Sequence, residues 1–569
     1  MKFNLKYTLS IIAVLLTISL SAQDLSSLGI KDSLSAYQKI KKGTTVHGSL
    51  GTSFTAYNGW GGTARRDPYN YSLSGNFSVR TMDLELPFSF YITNQNSDFR
   101  QPFNQFGVSP TYKKVTGHLG YRSLSWSSFS LAGHTFLGVG VEANPGIFRL
   151  GFVYGRFRQA IEPGDKDGLV PSYKRLGYAF KVGVGDEKGF IDFIMLKGKD
   201  ETNSVSALID SSSVTPAENL VFALVGQRKL TKEISVNFEV ARSAYTEDIR
   251  SNTTETNSAA SGIYSSLGDV FTPKTSSSYN NAYLFTLNFT PKKVKTALKY
   301  RRVEGTFKTM GSYFFNNDLE DITVNLGTSF FKSKVTFSGS FGVQRNNLKE
   351  TELTQTLRTI GSANVFWMAS KKLNFGLNFS NYTSTLSAVR DVLSDSIEFY
   401  QVTNNYNLTS NYLFGKEGVD QSLSLNVGYQ LANARSEYNV SDITTTFNNV
   451  NLNYRYQRKS STWGFNAGVN YTQINSVGNE LINVGPTLGV KKSLLDKKVK
   501  LSLANTVLQQ VVNGDSQTLV DIIKFGANYK PRKKHTFGLV GNYLIRIAQT
   551  NSVNDFAEIR GTVRYQYSF

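Results

Sequence analysis

The chain has no cysteine, only 4 histidines and only 12 prolines in 569 residues. Without cysteine there are no disulfides, no thiolate metal sites and no lipid anchor on an N-terminal cysteine. The histidines, His47, His118, His134 and His535, fall on separate predicted strands, with neither the spacing of a ligand pair nor that of a nucleophile and its base. We therefore expect no enzyme, no metal and no cofactor. Gly138-Val139-Gly140-Val141-Glu142 lies within a predicted strand and lacks the strand-to-helix setting of a phosphate loop. Past the N-terminus no apolar run approaches the roughly 18–20 residues that a spanning helix needs, which excludes a helical membrane bundle. Acidic residues are also scarce, 42 against 62 basic, giving a net charge of +20. Such an excess can mark a nucleic-acid binder, but much of it falls in short turns, where Lys and Arg suit a membrane edge. No nucleic-acid partner is expected.

Aromatic residues, by contrast, are plentiful, with 39 Phe and 30 Tyr. They are spread on a two-residue period. In the final stretch Ile559, Gly561, Val563, Tyr565, Tyr567 and Phe569 alternate with Arg560, Thr562, Arg564, Gln566 and Ser568. Side chains alternate across a strand, so a wall between hydrocarbon and an aqueous lumen needs this pattern. Leu373, Phe375, Leu377 and Phe379 alternate in the same way with Asn374, Gly376, Asn378 and Ser380, and Trp463 to Thr472 repeats it. A helix would show a period of 3.6 instead.

Basic turns punctuate these strands at Gly185–Lys188, Thr231–Glu233, Pro291–Lys293, Lys332–Lys334, Ser370–Lys372, Gly415–Gly418, Arg458–Ser460, Leu495–Lys498 and Pro531–Lys534. After the first two wider intervals their spacing is roughly 36–45 residues, two spanning strands plus one loop. Further turns at Thr81-Met82 and Asn144-Pro145-Gly146, with a first strand at Thr44–Tyr57, bring the count to about 24 strands, within a range of about 20–26. The predicted fold is all-β, a large transmembrane antiparallel β-barrel over 44–569 with short periplasmic turns and longer extracellular loops. It must be closed, because an open sheet edge cannot stand in lipid. The last strand should then pair with the first.

Residues 1–22 read as a cleaved signal peptide, with a basic start, an apolar stretch from Ile11 to Leu20 and Ser21-Ala22-Gln23 at the cut. Residues 23–43 read as a short periplasmic segment. The expected location is the cell outer membrane, as a multi-pass barrel. Residues Asn94 to Ser128 fit neither one strand nor one simple loop, and two readings stand side by side: an inward-folded loop over 94–128 with Phe99, Arg100, Phe103, Asn104 and Phe106 as candidate plug or constriction, or an extracellular loop packed on the rim. Glu247 to Ser278, rich in Ser, Thr and Asn, reads as a mobile surface loop. Candidate lumen charges are Arg149, Lys295, Lys299, Arg301, Arg546, Arg560 and Arg564, with an anion path, pairing with acidic loops or simple hydration as their role. Tyr565, Tyr567 and Phe569 are the candidate assembly signal.

Leu20-Ser21-Ala22-Gln23, the Asn/Tyr/Phe-rich hairpins and His118-Leu119-Gly120-Tyr121 through Tyr154-Gly155-Arg156 resemble exported barrels of Bacteroidota. Asp32-Ser33-Leu34 and Asp395-Ser396-Ile397 resemble the short O-glycosylation motif of that phylum. The resemblance implies outer-membrane lipid as surroundings and barrel-assembly machinery for insertion, with other outer-membrane or periplasmic proteins as further partners. It implies no particular activity. The functional expectation is a porin-like channel for passive passage of small solutes. The alternative is a non-conducting barrel subunit of a larger outer-membrane complex, for secretion or barrel assembly, with a plugged lumen.

Overall fold

Alternation on this scale can satisfy every backbone group only if the strands close on themselves, and they do. The structure, a computed structural model, describes residues 43–95, 103–163, 170–206, 214–253, 264, 267–389, 399–436, 442–458, 462–551 and 553–569. One antiparallel sheet runs through them in chain order, and its first strand, Thr44–Trp60, pairs with its last, Phe556–Ser568. The register sets Ser49 opposite Ser568 and Trp60 opposite Ala557. Gln105–Val108 and Thr111–Tyr112 are two pieces of one interrupted strand between Leu84–Thr93 and Val115–Ser125. Counted that way, the closed barrel has 26 strands.

The two strands beyond the expected 24 both come from Asn94–Ser128, the stretch read as a loop. Their alternation is hidden because one strand is broken at Ser109-Pro110 and the other bends at Gly120. Gly120 has φ +88°, and a Cβ there would lie 2.5 Å from the Phe106 carbonyl oxygen, so only glycine fits. The leader and residues 23–42 lie outside the described residues.

The basic turns read from the sequence all fall at one end of the barrel, and the connections at the opposite end are mostly longer. In the turn at the end of Arg175–Gly185, the Asp186 carboxylate accepts from the backbone N–H groups of Lys188 and Gly189, which holds it below the usual carboxylate range. Register identifies the two faces of the wall. Phe54, Val563, Leu539 and Phe525 lie on neighbouring strands in one apolar face. The opposite face carries Thr55, Thr562, Asn542 and Lys524 in the same way. The apolar face is the outside. At roughly 4.8 Å between strands and a tilt near 40°, 26 strands enclose a lumen roughly 50 Å across between backbones. Wall side chains alone cannot fill such a width.

Candidate functional site: a lumen filled on one side only

The filling comes from two connections at the long-loop end. Above Gly120 and Leu137 the hairpin of Val115–Ser125 and Ala132–Ala143 leaves the wall, for Leu137 is the first residue of its strand to pair with Phe148–Arg158. Its tip, Trp126 to Leu131, bends down into the lumen. Trp126 Nε1 donates to Glu142 at 2.8 Å, Lys181 Nζ donates to the same carboxylate at 3.0 Å, and His118 Nε2 lies 3.4 Å from it. Glu239, on the inner face of Ile234–Thr246, accepts from the Ser127 hydroxyl and from the backbone N–H of Phe129 at 2.9 Å.

The second connection, 304–318, lies against the first. Asn219 Oδ1 accepts from the Met310 N–H at 3.0 Å, and the Ser243 hydroxyl donates to the Lys308 carbonyl at 2.7 Å. Between the connections, the Ala132 N–H donates to the Gly311 carbonyl and the Thr309 hydroxyl to the Ser130 carbonyl, both at 2.8 Å. Phe129, Phe307 and Phe315 pack ring to ring with centroids 5.2–6.2 Å apart, and Tyr313 stacks on His134 at 4.1 Å. Beneath them lies a buried apolar floor that includes Phe136, Phe157, Ile194, Leu196, Val221 and Val303. These are inward positions that would ordinarily be polar in a water-filled barrel. They are apolar because the two connections cover them.

Among the described residues no comparable cover lies over the other side. From Val335–Arg345 onward the inward positions are mostly Asn, Ser, Thr, Gln and Gly, and among the described residues of those strands only Gly464, Thr518, Phe556 and Thr562 are buried. Their side chains hydrogen-bond along the wall instead of across it. Ser424 donates to Asn411 at 2.7 Å, Asn411 to Asn374 at 3.4 Å and Asn470 to Thr487 at 2.8 Å. Among the described residues the lumen is therefore packed along strands 115–330 and open along the rest.

Of the expected plug residues, Asn104 and Phe106 lie on the wall and not in this filling. Phe99 and Arg100 lie outside the described residues. Asn104 accepts from the Thr93 N–H at 2.7 Å at the top of the wall, and Phe103 is 43% exposed. Phe106 sits opposite Phe90 on the outer face, 57% exposed and edge-on to Tyr121. The inward fold lies at the C-terminal edge of the expected segment and beyond it, at Trp126, Phe129 and Leu131, and in 304–318, which the sequence reading passed over. The available signal was Phe307, Met310, Tyr313, Phe314 and Phe315 crowded into a connection between two strands, since so many large apolar groups need burial.

The expected lumen charges are all on the inner face by register. Arg149 grips Asp192 through two bonds of 2.7 and 2.9 Å, and Arg301 meets Asp321 at 2.6 Å. Arg158 and Arg175 share buried Asp200. Arg546 donates to the Asn554 carbonyl at 3.1 Å. Among the described residues, Lys295, Lys299, Arg560 and Arg564 have no carboxylate within 4 Å.

Of the expected mobile surface loop Glu247 to Ser278, residues 254–263, 265 and 266 lie outside the described residues, and the described remainder is a correction. Its Tyr264, Leu267, Val270 and Phe271 pack on the outside of the wall against Met195, Leu220 and Tyr279. Beneath this strap Lys197 and Glu218 form a buried ion pair of 2.6 Å, and Lys197 Nζ also donates to the Val270 carbonyl. Burial of these rings, invisible in a Ser/Thr-rich composition, ties the segment down. Among the described residues there is no group of three or more His, Asp or Glu side chains placed to share a metal ion.

No protein-family model matches the chain, and no curated protein sequence does. Solved structures with similar architecture include the P pilus usher (PapC) translocation pore, at 10% identity and TM-score 0.37, covering 92% of this chain and 99% of that one. The FrpB iron transporter from Neisseria meningitidis (F5-1 variant) gives 12% identity and TM-score 0.39, covering 93% and 84%. OccAB4 of Acinetobacter baumannii gives 11% identity and TM-score 0.28, covering 67% and 97%. Similarity this remote carries no function across. The barrel assignment rests on the closed ladder itself.

Proposed function

We propose that this chain is an outer-membrane barrel working as a porin-like channel whose pore lies off-centre, along the uncovered side of the lumen. The carrying observation is that asymmetry, with two loops packed on the inner wall of strands 115–330 and, among the described residues, an uncovered Asn/Ser/Thr wall opposite. A closed strand ring with an apolar outside suits a bilayer, and its exposed aromatics, such as Trp60 and Tyr69 at one end and Trp367 and Tyr529 at the other, suit the two interfaces. In that setting the short turns are periplasmic and the long loops extracellular. A cleaved signal peptide at 1–22 and insertion by the barrel-assembly machinery complete the reading. So large a ring without the loops would be an unselective hole, and the filled sector limits the size of what passes.

The filled sector also gives weight to a second reading, a non-conducting subunit of a larger outer-membrane complex. Purified protein reconstituted in planar bilayers separates the two. Discrete ohmic conductance steps are expected from the chain alone. Silence, together with co-purification of other membrane proteins in mild detergent, would overturn the channel and favour the subunit.

A further inference from the structure

At the seam where the first and last strands meet, the connection from Gly61 to Pro68 folds back over the lumen. Gly61 has φ +83°, and a Cβ on it would lie 2.1 Å from the Asp555 carbonyl oxygen, so the connection is pressed onto the start of the last strand. The fold encloses a recess of about 740 Å³ whose lining includes Arg65, Arg66 and Arg560 together with Tyr57, Asn70 and Gln95. The Arg65 guanidinium is held over the Phe556 ring at 4.3 Å, and its backbone N–H donates to the Tyr57 hydroxyl at 3.4 Å.

Carboxylates near the recess are few. Asp67 lines it, and Glu558 accepts from the Tyr57 hydroxyl at 3.2 Å. Among the described residues neither of them, nor any other carboxylate, lies within 4 Å of Arg65, Arg66 or Arg560. On the filled side of the lumen Arg149 pairs with Asp192 and Arg301 with Asp321, although Arg122, Lys295 and Lys299 there have no such pair among the described residues. The open wall carries further basic groups on its inner face without such partners, among them Arg455, Lys491, Lys500, Lys524 and Arg564. Three guanidinium groups around one recess repel one another, and an oxyanion placed among them relieves that repulsion while accepting paired N–H bonds.

We infer that this recess is a binding station for oxyanions, phosphate or carboxylate groups of small solutes, at the mouth of the open side of the lumen. It rests on the reading of that side as water-filled, but not on its conductance. An approaching anion would be drawn by the basic wall, held by the guanidinium forks and released into the same field.

Calorimetric titration of inorganic phosphate into the detergent-purified full chain tests this. Saturable binding is expected for the native protein, at least tenfold weaker in R65Q/R66Q/R560Q and retained in K371Q/K372Q, a change confined to a short turn at the opposite end of the barrel. Barrel integrity is read from heat-modifiable gel mobility, and R66Q alone serves if the triple variant does not fold. No saturable binding by the native protein, or equal binding by the recess variant, would overturn the inference. Reversal potentials in a salt gradient report on the channel separately. A barrel that binds phosphate but is silent in bilayers keeps the station and loses the channel, and one that conducts without binding does the reverse.

Discussion

The backbone N–H of Phe129 donates to the Glu239 carboxylate at 2.9 Å, linking residues 110 apart in the sequence inside the lumen. The same carboxylate takes the Ser127 hydroxyl, so one wall side chain fastens the tip of the inward hairpin. Replacing Glu239 with Ala leaves the buried Ser127 hydroxyl without its acceptor, at a cost of about 1–3 kcal/mol, and leaves the Phe129 N–H only the Ser127 Oγ at 3.0 Å. The tip should loosen, with larger and noisier single-channel conductance and a lower thermal midpoint. Conductance indistinguishable from the native level would show that the tip is held by other contacts.

Shortening the second inward connection should widen the pore more than any point change. With 305–317 replaced by a short Gly/Ser linker, Phe129 loses Phe307 and Phe315, and the floor residue Val303 loses its cover. Exposing each such large apolar group costs about 1.5–3 kcal/mol, so stability falls as conductance rises. Passage of larger neutral sugars in liposome swelling is the check. An unchanged size limit would place the constriction elsewhere.

The strap on the outer wall depends on the Lys197–Glu218 pair. Lys197→Met leaves buried Glu218 only the exposed Lys199 at 3.7 Å, at a cost of up to about 3–5 kcal/mol, whereas K197M/E218L removes the buried pair and should come close to native stability. Trypsin cleavage after Arg250 and Lys274, which flank the strap, should speed up in the single variant and return toward the native rate in the double one. Equal cleavage in all three proteins would mean that the aromatic contacts of Tyr264 and Phe271 hold the strap unaided.

Removing Tyr565–Phe569 takes away the pairings of Ser49, Leu50, Gly51 and Thr52 with the last strand, and those of His535, Thr536 and Phe537. It also removes the backbone bonds between Gly48 and Phe569. Lipid offers no substitute partners for the exposed edge. The truncated chain should fail to give a heat-modifiable folded band in the membrane fraction, and normal insertion would contradict the role given to this strand.

Sequence alone determined the wall. A barrel strand must put apolar and polar groups on alternate sides, so Ile559 to Phe569, Leu373 to Ser380 and the basic turns between hairpins were legible residue by residue, as was the need for the first and last strands to meet. What occupies the lumen was decided by the tertiary structure. Trp126, Phe129 and Phe307 obey no period, and their burial depends on Glu239, Asn219 and Ser243, which stand on strands remote in sequence and look like any inward polar residue. Phe106 shows the converse, since an aromatic in a polar segment read as a plug until its pairing with Phe90 set it on the outer face. Alternation reports on which side of a wall a residue lies. Only long-range contacts report what lies against it, which is why the final strand could announce a barrel while the state of its lumen had to be read from the fold.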